Sequence, residues 1–250
     1  RAALAWYFSI VEIQCPRAGR NRVRVDNMYS ASRPAGSAVR LRSMLFAGLC
    51  VHLGMTQVDA GVTDVPGWVP VAITPAGRIY HRDFQASPVP MIMIATTFEA
   101  PPGRVHAVVT DYDRFAEFIP NVLESRVLKR AGSHQWVLHH LHFPGPVADR
   151  VYVFMSTDSP WSEQSGYRVE WHLSERQFPG VDVSAAIKPR RLSGFWELWP
   201  AADGTATVAR YAVHSDPGGV IPAWLVVRMT DRYVQQVIEA VGERLRGASP

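Results

Sequence analysis

Two hydrophobic periods divide this chain. Between residues 122 and 214, β-branched and aromatic residues alternate with polar ones in short runs: 122–130 (VLESRVLKR), 134–143 (HQWVLHHLHF), 149–157 (DRVYVFMST), 166–174 (GYRVEWHLS), 181–188 (VDVSAAIK), 194–200 (GFWELWP) and 205–214 (TATVARYAVH). Turns containing Gly, Pro, Ser or Asp bound each run, the pattern of strands in an antiparallel meander. Residues 68–83 precede them with an apolar opening, a Pro-Ala-Gly turn and a second alternating stretch. Residues 89–100 (VPMIMIATTFEA) form an Ile- and Met-rich strand candidate that stops at Pro101 and Pro102. Those prolines suit the first turn of a helix. Val105, Val108 and Val109, then Phe115, Phe118 and Ile119 after a break near Asp111, predict two short helices closed by Pro120. The last segment changes period: Leu225, Val226, Met229, Tyr233, Val234, Val237, Ile238, Val241 and Leu245 fall on one face of a long helix.

This order predicts a single α+β domain over residues 61–250. A long antiparallel sheet curls through its own twist, one terminal helix covers the concave face, and the two enclose a lumen of apolar and aromatic side chains. The chain is 250 residues long and 47 % apolar, which allows a sizeable core. Its net charge of +4 is unevenly spread. Residues 1–60 hold eight Arg against three acidic groups, leaving 18 basic and 19 acidic residues for the rest. A nearly neutral domain lacks the basic footprint that nucleic acid requires, so no nucleic-acid partner is expected. Cys15 and Cys50 both precede the domain, which therefore has no disulfide, thiolate nucleophile or Cys-ligated metal.

Residues 28–60 read as a secretory signal. A cationic stretch free of acidic residues leads into the apolar run 43–55, too short for a bilayer, and "VDA" ends at Ala60. A tail with an amphipathic anchor is the competing reading. On the first, residues 1–60 are a leader, largely unstructured or helical, and the domain is secreted, to the periplasm, as a monomer.

Several stretches resemble a known superfamily. "FEAPPGRVHAVVTDYDRFAEFIPNVLESRVLKR" (98–130) is similar to the opening of START, polyketide-cyclase and coenzyme-Q-binding domains. "PGPVADRVYVF" (144–154) resembles their P-x-x-x-x-R strand. "RYAVHSDPGGVIPAWLVVRM" (210–229) resembles the START segment that enters the C-terminal helix, and "GWVPVAITPAGRIYHRDF" (67–84) its lead-in. The likeness spans about residues 66–246. It implies a helix-grip fold, a curved antiparallel sheet wrapped around a long C-terminal helix, with an apolar cavity for a lipid or other large hydrophobic molecule. It also implies a lid. Asp216, Pro217, Gly218 and Gly219 would form the joint on which the helix from 221 to 245 moves, glycine supplying the φ/ψ freedom; the alternative is a rigid turn. Transient contact with a membrane surface follows from such a role.

The resemblance points to Arg150 as a pocket arginine, normally paired with an acid. In this chain the matching position is His140, which could accept a hydrogen bond from Arg150 or bind a ligand oxygen. A surface arginine at a strand start is the competing reading. With Arg150 inward, alternation sends Tyr152 and Phe154 inward too. Trp171, Trp196, Tyr211, Trp224 and Leu225 complete the expected ligand-binding set. His140 and His142 share a strand face without a clear third ligand, so no metal is expected. Asp111, Asp113 and Glu117 read as groups of a helix junction rather than acid/base catalysts. No G-x-S-x-G, H-E-x-x-H, P-loop or G-x-G-x-x-G is present, so no cofactor is expected. Non-catalytic lipid binding and transfer is the leading expectation. An aromatase/cyclase on the same fold and a quinone-binding chaperone are the alternatives.

Overall fold

The computed structural model describes residues 65–85, 87–143, 148–161, 165–181 and 186–247, all within the compact unit Gln57–Pro250. The expected signal segment lies outside the described residues. Nine strands form one antiparallel sheet: β1 (Val69–Thr74), β2 (Gly77–Arg82), β3 (Met91–Phe98), β4 (Val122–Ala131), β5 (His134–Leu141), β6 (Arg150–Trp161), β7 (Gly166–Leu173), β8 (Arg191–Pro200) and β9 (Thr207–Asp216). Their order across the sheet is β1-β2-β3-β9-β8-β7-β6-β5-β4. The meander from β4 to β9 folds back so that β9 pairs with β3, Ile94 lying opposite Tyr211.

The strand expected over 181–188 is not formed at its described ends. Val181 lies in a loop, and Ile187 makes a single parallel bridge to Arg150. The alternation there is real, but among the described residues only Ile187 is bridged. In β3, by contrast, alternation is missing because both faces are covered. Ile92 and Ile94 face the main core, while Met91, Met93 and Ala95 join Tyr80, Val208 and Ala212 in a second cluster beneath Trp68 and Phe84. A strand buried on both sides reads as a continuous apolar run.

The helices lie where the sequence puts them. Pro101 caps α1 (Pro102–Val109), whose Val105 and Val109 are buried. A single 3₁₀ turn, Tyr112–Arg114, leads to α2 (Phe115–Phe118). The Asp113 carboxylate accepts hydrogen bonds from the Val127 amide at 2.7 Å and from Arg130 at 3.2 Å, which ties this turn to β4. The long helix α3 (Ala223–Gly247) buries Val226, Val234, Val237, Ile238, Val241 and Leu245 against the concave side of the sheet. At roughly 1.5–3 kcal/mol for each such side chain removed from water, this face outweighs any helix propensity in fixing α3.

The two halves of α3 are held differently. The C-terminal half is bolted down: Arg104 donates to the Leu245 carbonyl at 2.8 Å, and Arg244 pairs with Glu117 at 2.9 Å. Among the described residues the N-terminal half has one side-chain polar contact to the sheet, His81 Nε2 to Asp231 Oδ1 at 2.7 Å, and it lines a hollow.

Candidate functional site

Strand alternation builds the wall of that hollow. Inward positions of β6 supply Arg150, Tyr152 and Phe154; β7 supplies Trp171; β8 supplies Leu192 and Trp196; and β9 supplies Tyr211, Val213 and Ser215. From α3 come Val226, Met229, Thr230 and Tyr233, and from the short helical region Tyr112 and Phe115. The cavity measures about 150 Å³. Trp196 and Trp171 both stack on Tyr211, with ring centres 4.5 and 5.8 Å away, so three aromatic rings make one continuous surface. Among the described residues, no Asp, Glu, Lys or Cys lines the cavity.

Three expected positions differ. His140 does not reach the cavity. Its Nε2 lies 2.7 Å from Asp149 Oδ2, while His142 Nδ1 lies 2.9 Å from Asp149 Oδ1. Both imidazoles hold the half-buried Asp149 carboxyl below its usual range. The inward histidine is His139. The β5–β6 register places Leu141 opposite Arg150 and His139 opposite Tyr152, and directly opposed residues share a face. The signal was in the sequence: His139 is in phase with Val137 and Leu141, both two residues away. Trp224 is the second correction. It is 67 % exposed and points outward from the first turn of α3. Leu225 is half-buried and not part of the lining, which on α3 begins at Val226. Tyr112, Phe115, Leu192, Met229 and Tyr233 line the cavity without having been expected to; their facing depends on how the helices pack.

Arg150 is inward and buried, 3 % exposed, and among the described residues its partners are backbone carbonyls and not side chains. Its Nε donates to the Pro217 carbonyl at 2.7 Å, Nη2 to the Gly218 carbonyl at 3.4 Å and Nη1 to the Ala148 carbonyl. Burial lowers its pKa from the ordinary value and nearby Asp149 opposes the shift; a guanidinium stays charged throughout. The expected joint is thus clamped by the expected pocket residue. Within it, Gly218 and Gly219 have φ of 68° and 74°, values that favour glycine, and the Gly218 amide donates to the Asp216 carboxylate at 3.0 Å.

His139 stands among Phe154, Tyr152 and Phe115, with ring centres 4.8, 5.9 and 6.0 Å away. Its Nε2 has no hydrogen-bond partner among the described residues. Burial pushes the imidazole down to about 3, so it is neutral at ordinary pH. The unfolded chain binds this proton near 6.5, hence stability is full above that pH and is lost as pH falls from 6.5 towards 3, at about 1.4 kcal/mol per pH unit. His214, whose pKa burial also lowers, acts in the same direction. Melting curves between neutral pH and pH ~4.5 should therefore show the native chain losing about 2–3 kcal/mol more than His139→Phe. Parallel losses would remove His139 as the acid-sensitive group.

A bent antiparallel sheet gripping a terminal helix over an apolar hollow is the helix-grip fold of the START superfamily. The pattern of the polyketide cyclase / dehydrase and lipid transport family matches residues 98–241, and the chain belongs to that family. It is 26 % identical over 179 residues to "Uncharacterized protein PA1579" of Pseudomonas aeruginosa, covering 69 % of this chain and 87 % of that protein. The crystal structure of a STAR-related lipid transfer protein fragment from Xanthomonas axonopodis superposes with a TM-score of 0.64 at 24 % identity, over 72 % of this chain and 99 % of that one. Human StAR-related lipid transfer protein 5 gives 0.63 at 12 % identity, over 74 % and 89 %. At these identities the two structures establish the shared fold.

Proposed function

We propose that this protein binds a lipid or other large apolar molecule between the concave sheet and α3, and carries it without transforming it. The observation that carries the reading is the aromatic and aliphatic hollow under a helix whose cavity-side half is held by few contacts. Each Å² of apolar ligand surface taken from water there is worth about 25 cal/mol. The family and the lipid-transfer proteins that share the fold support the same reading.

Loading requires movement. A cavity of about 150 Å³ is smaller than the roughly 300–1,000 Å³ of ligand pockets. The N-terminal half of α3 must swing outward to admit the ligand, and it rests further out once the ligand is in. The joint at 216–222 bends, while the Arg104 and Arg244 contacts hold the far end. Two exposed apolar side chains sit at the moving edge: Val220, fully exposed, and Trp224. Such groups partition into the membrane interface, which would put the opening against the bilayer that gives up the lipid. The cationic, apolar and small-residue succession of residues 28–60 supports export, so the exchange is placed between membranes outside the cytoplasm.

Cyclase chemistry is less well served. Proton transfer needs a group poised near the working pH, but His139 is pushed far below it and the four cavity tyrosines far above. The direct test is native mass spectrometry of the purified chain before and after incubation with liposomes. A retained or extracted lipid at one per chain is expected. Protein that is empty at isolation and extracts nothing would overturn the proposal.

A further inference from the structure

The four cavity tyrosines differ in what their hydroxyls bind. Tyr112 Oη lies 2.7 Å from Ser156 Oγ and is satisfied. No described residue hydrogen-bonds the hydroxyl of Tyr152, Tyr211 or Tyr233. They come from three elements, β6, β9 and α3, and meet at one hollow. They are close enough to act on each other electrostatically: Tyr233 disfavours ionisation of Tyr152 and Tyr211, and Tyr152 that of Tyr211. Burial raises all three phenols, Tyr233 to about 12, so each remains an O–H donor.

Phenylalanine would fill the same space without leaving a donor unpaired in apolar surroundings, where an unmade hydrogen bond is costly. Two other polar groups stand in the wall: His139, a neutral imidazole whose Nε2 has no partner among the described residues, and Arg150. The Arg150 guanidinium is engaged by backbone carbonyls at the joint, and no carboxylate or ammonium lines the cavity among the described residues. Neutral donors suit a neutral acceptor. An ionised carboxylate or phosphate carried to this depth would lose its water and meet one cation, Arg150, already committed to three backbone carbonyls.

We propose that Tyr152, Tyr211 and Tyr233 form a donor cluster for one uncharged oxygen of the ligand, a ketone, quinone or ester carbonyl set in an otherwise apolar molecule. The inference rests on the carrier reading and narrows it. Because Tyr233 rides on α3 while the other two are fixed in the sheet, the same oxygen also draws the lid shut.

The experiment is displacement of the neutral fluorophore N-phenyl-1-naphthylamine from the full chain by three twelve-carbon competitors: a methyl ketone, the alkane, and the fatty acid above neutral pH, where it is ionised. The ketone should bind about tenfold more tightly than the alkane, as one or two well-placed hydrogen bonds allow, and the carboxylate no more tightly than the alkane. In the triple variant Tyr152→Phe, Tyr211→Phe, Tyr233→Phe the ketone's advantage, read as the ratio of ketone to alkane binding by that same variant, should shrink to within about twofold. The three single variants, each shedding one oxygen, should show partial losses and serve if the triple variant fails to fold. Equal binding of ketone and alkane by the native chain, or a ketone advantage that survives loss of the hydroxyls, overturns the donor cluster while leaving the carrier intact. Failure of fluorophore and all three competitors to bind overturns the carrier reading itself.

Discussion

Arg150→Met should release a preloaded fluorescent lipid about ten- to a hundredfold faster than the native chain, with little change in melting temperature. Two effects oppose each other in that substitution. Removing the guanidinium strips the Pro217 and Gly218 carbonyls of their donor, and Gly218 is buried. Hydrogen bonds from a charged donor contribute about 1.5–3 kcal/mol, which is the ten- to hundredfold range at 1.4 kcal/mol per decade. Against that, Arg150 is a buried cation with no acid hydrogen-bonded to it. Its replacement by an unbranched apolar side chain recovers desolvation energy, and such exchanges are often neutral for the fold. Global stability thus nearly cancels, whereas the joint alone bears the loss. Hydrogen exchange of residues 216–222 should accelerate with the lipid off-rate. A variant that melts far lower and releases lipid at the native rate would make Arg150 a structural strut and not a latch.

The turn that Arg150 clamps was half legible. Pro and Gly after a strand, followed by a helical stripe, announced a joint at Asp216–Gly219, and β9 does end at Asp216. The sequence also sent Arg150 inward. What it could not supply was Arg150's partner, because a backbone carbonyl 67 residues away leaves no mark in side-chain pattern. The same limit explains His139. Alternation within β5 was readable, but which phase faced the cavity depended on the β5–β6 register, and the resemblance suggested the neighbouring residue. Strands in the meander were recovered because turn residues bracket them. The described ends of 181–188 depart from a full strand because alternation describes the chain and not whether a neighbour is available to pair with it. The tyrosine cluster was hidden for a further reason. Tyr233 sits in the helical stripe among valines, where a phenol and a core aromatic look alike until the missing hydrogen-bond partner is seen.

The other large effect is expected at Gly194, which opens the aromatic run of β8. Gly194 pairs with Trp171 on β7 and with Val213 on β9. A Cβ at this position would stand 2.3 Å from Trp171 Cζ2 and 2.4 Å from the Ala212 carbonyl oxygen. The Trp171 ring thus lies across the bare glycine backbone, the arrangement by which an aromatic covers a strand glycine, and from there it reaches Tyr211. Since one of the two clashes is with backbone, a rotamer change cannot relieve both. Gly194→Ala should cost about 3 kcal/mol, at the upper end for overpacking, and lower the melting temperature by roughly 6–12 °C for a domain of this size. Gly103→Ala provides the contrast. Its Cβ would meet only the Tyr167 hydroxyl, at 3.4 Å, inside α1, where alanine is the better helix former, and its effect should be neutral or slightly stabilising. Below its melting point, Gly194→Ala should also bind apolar ligands less tightly, because the displaced Trp171 ring is part of the cavity wall. If Gly194→Ala instead melts with the native chain and keeps its tryptophan emission, then Trp171 does not rest on that glycine, and the three-ring surface under the ligand is not built as described.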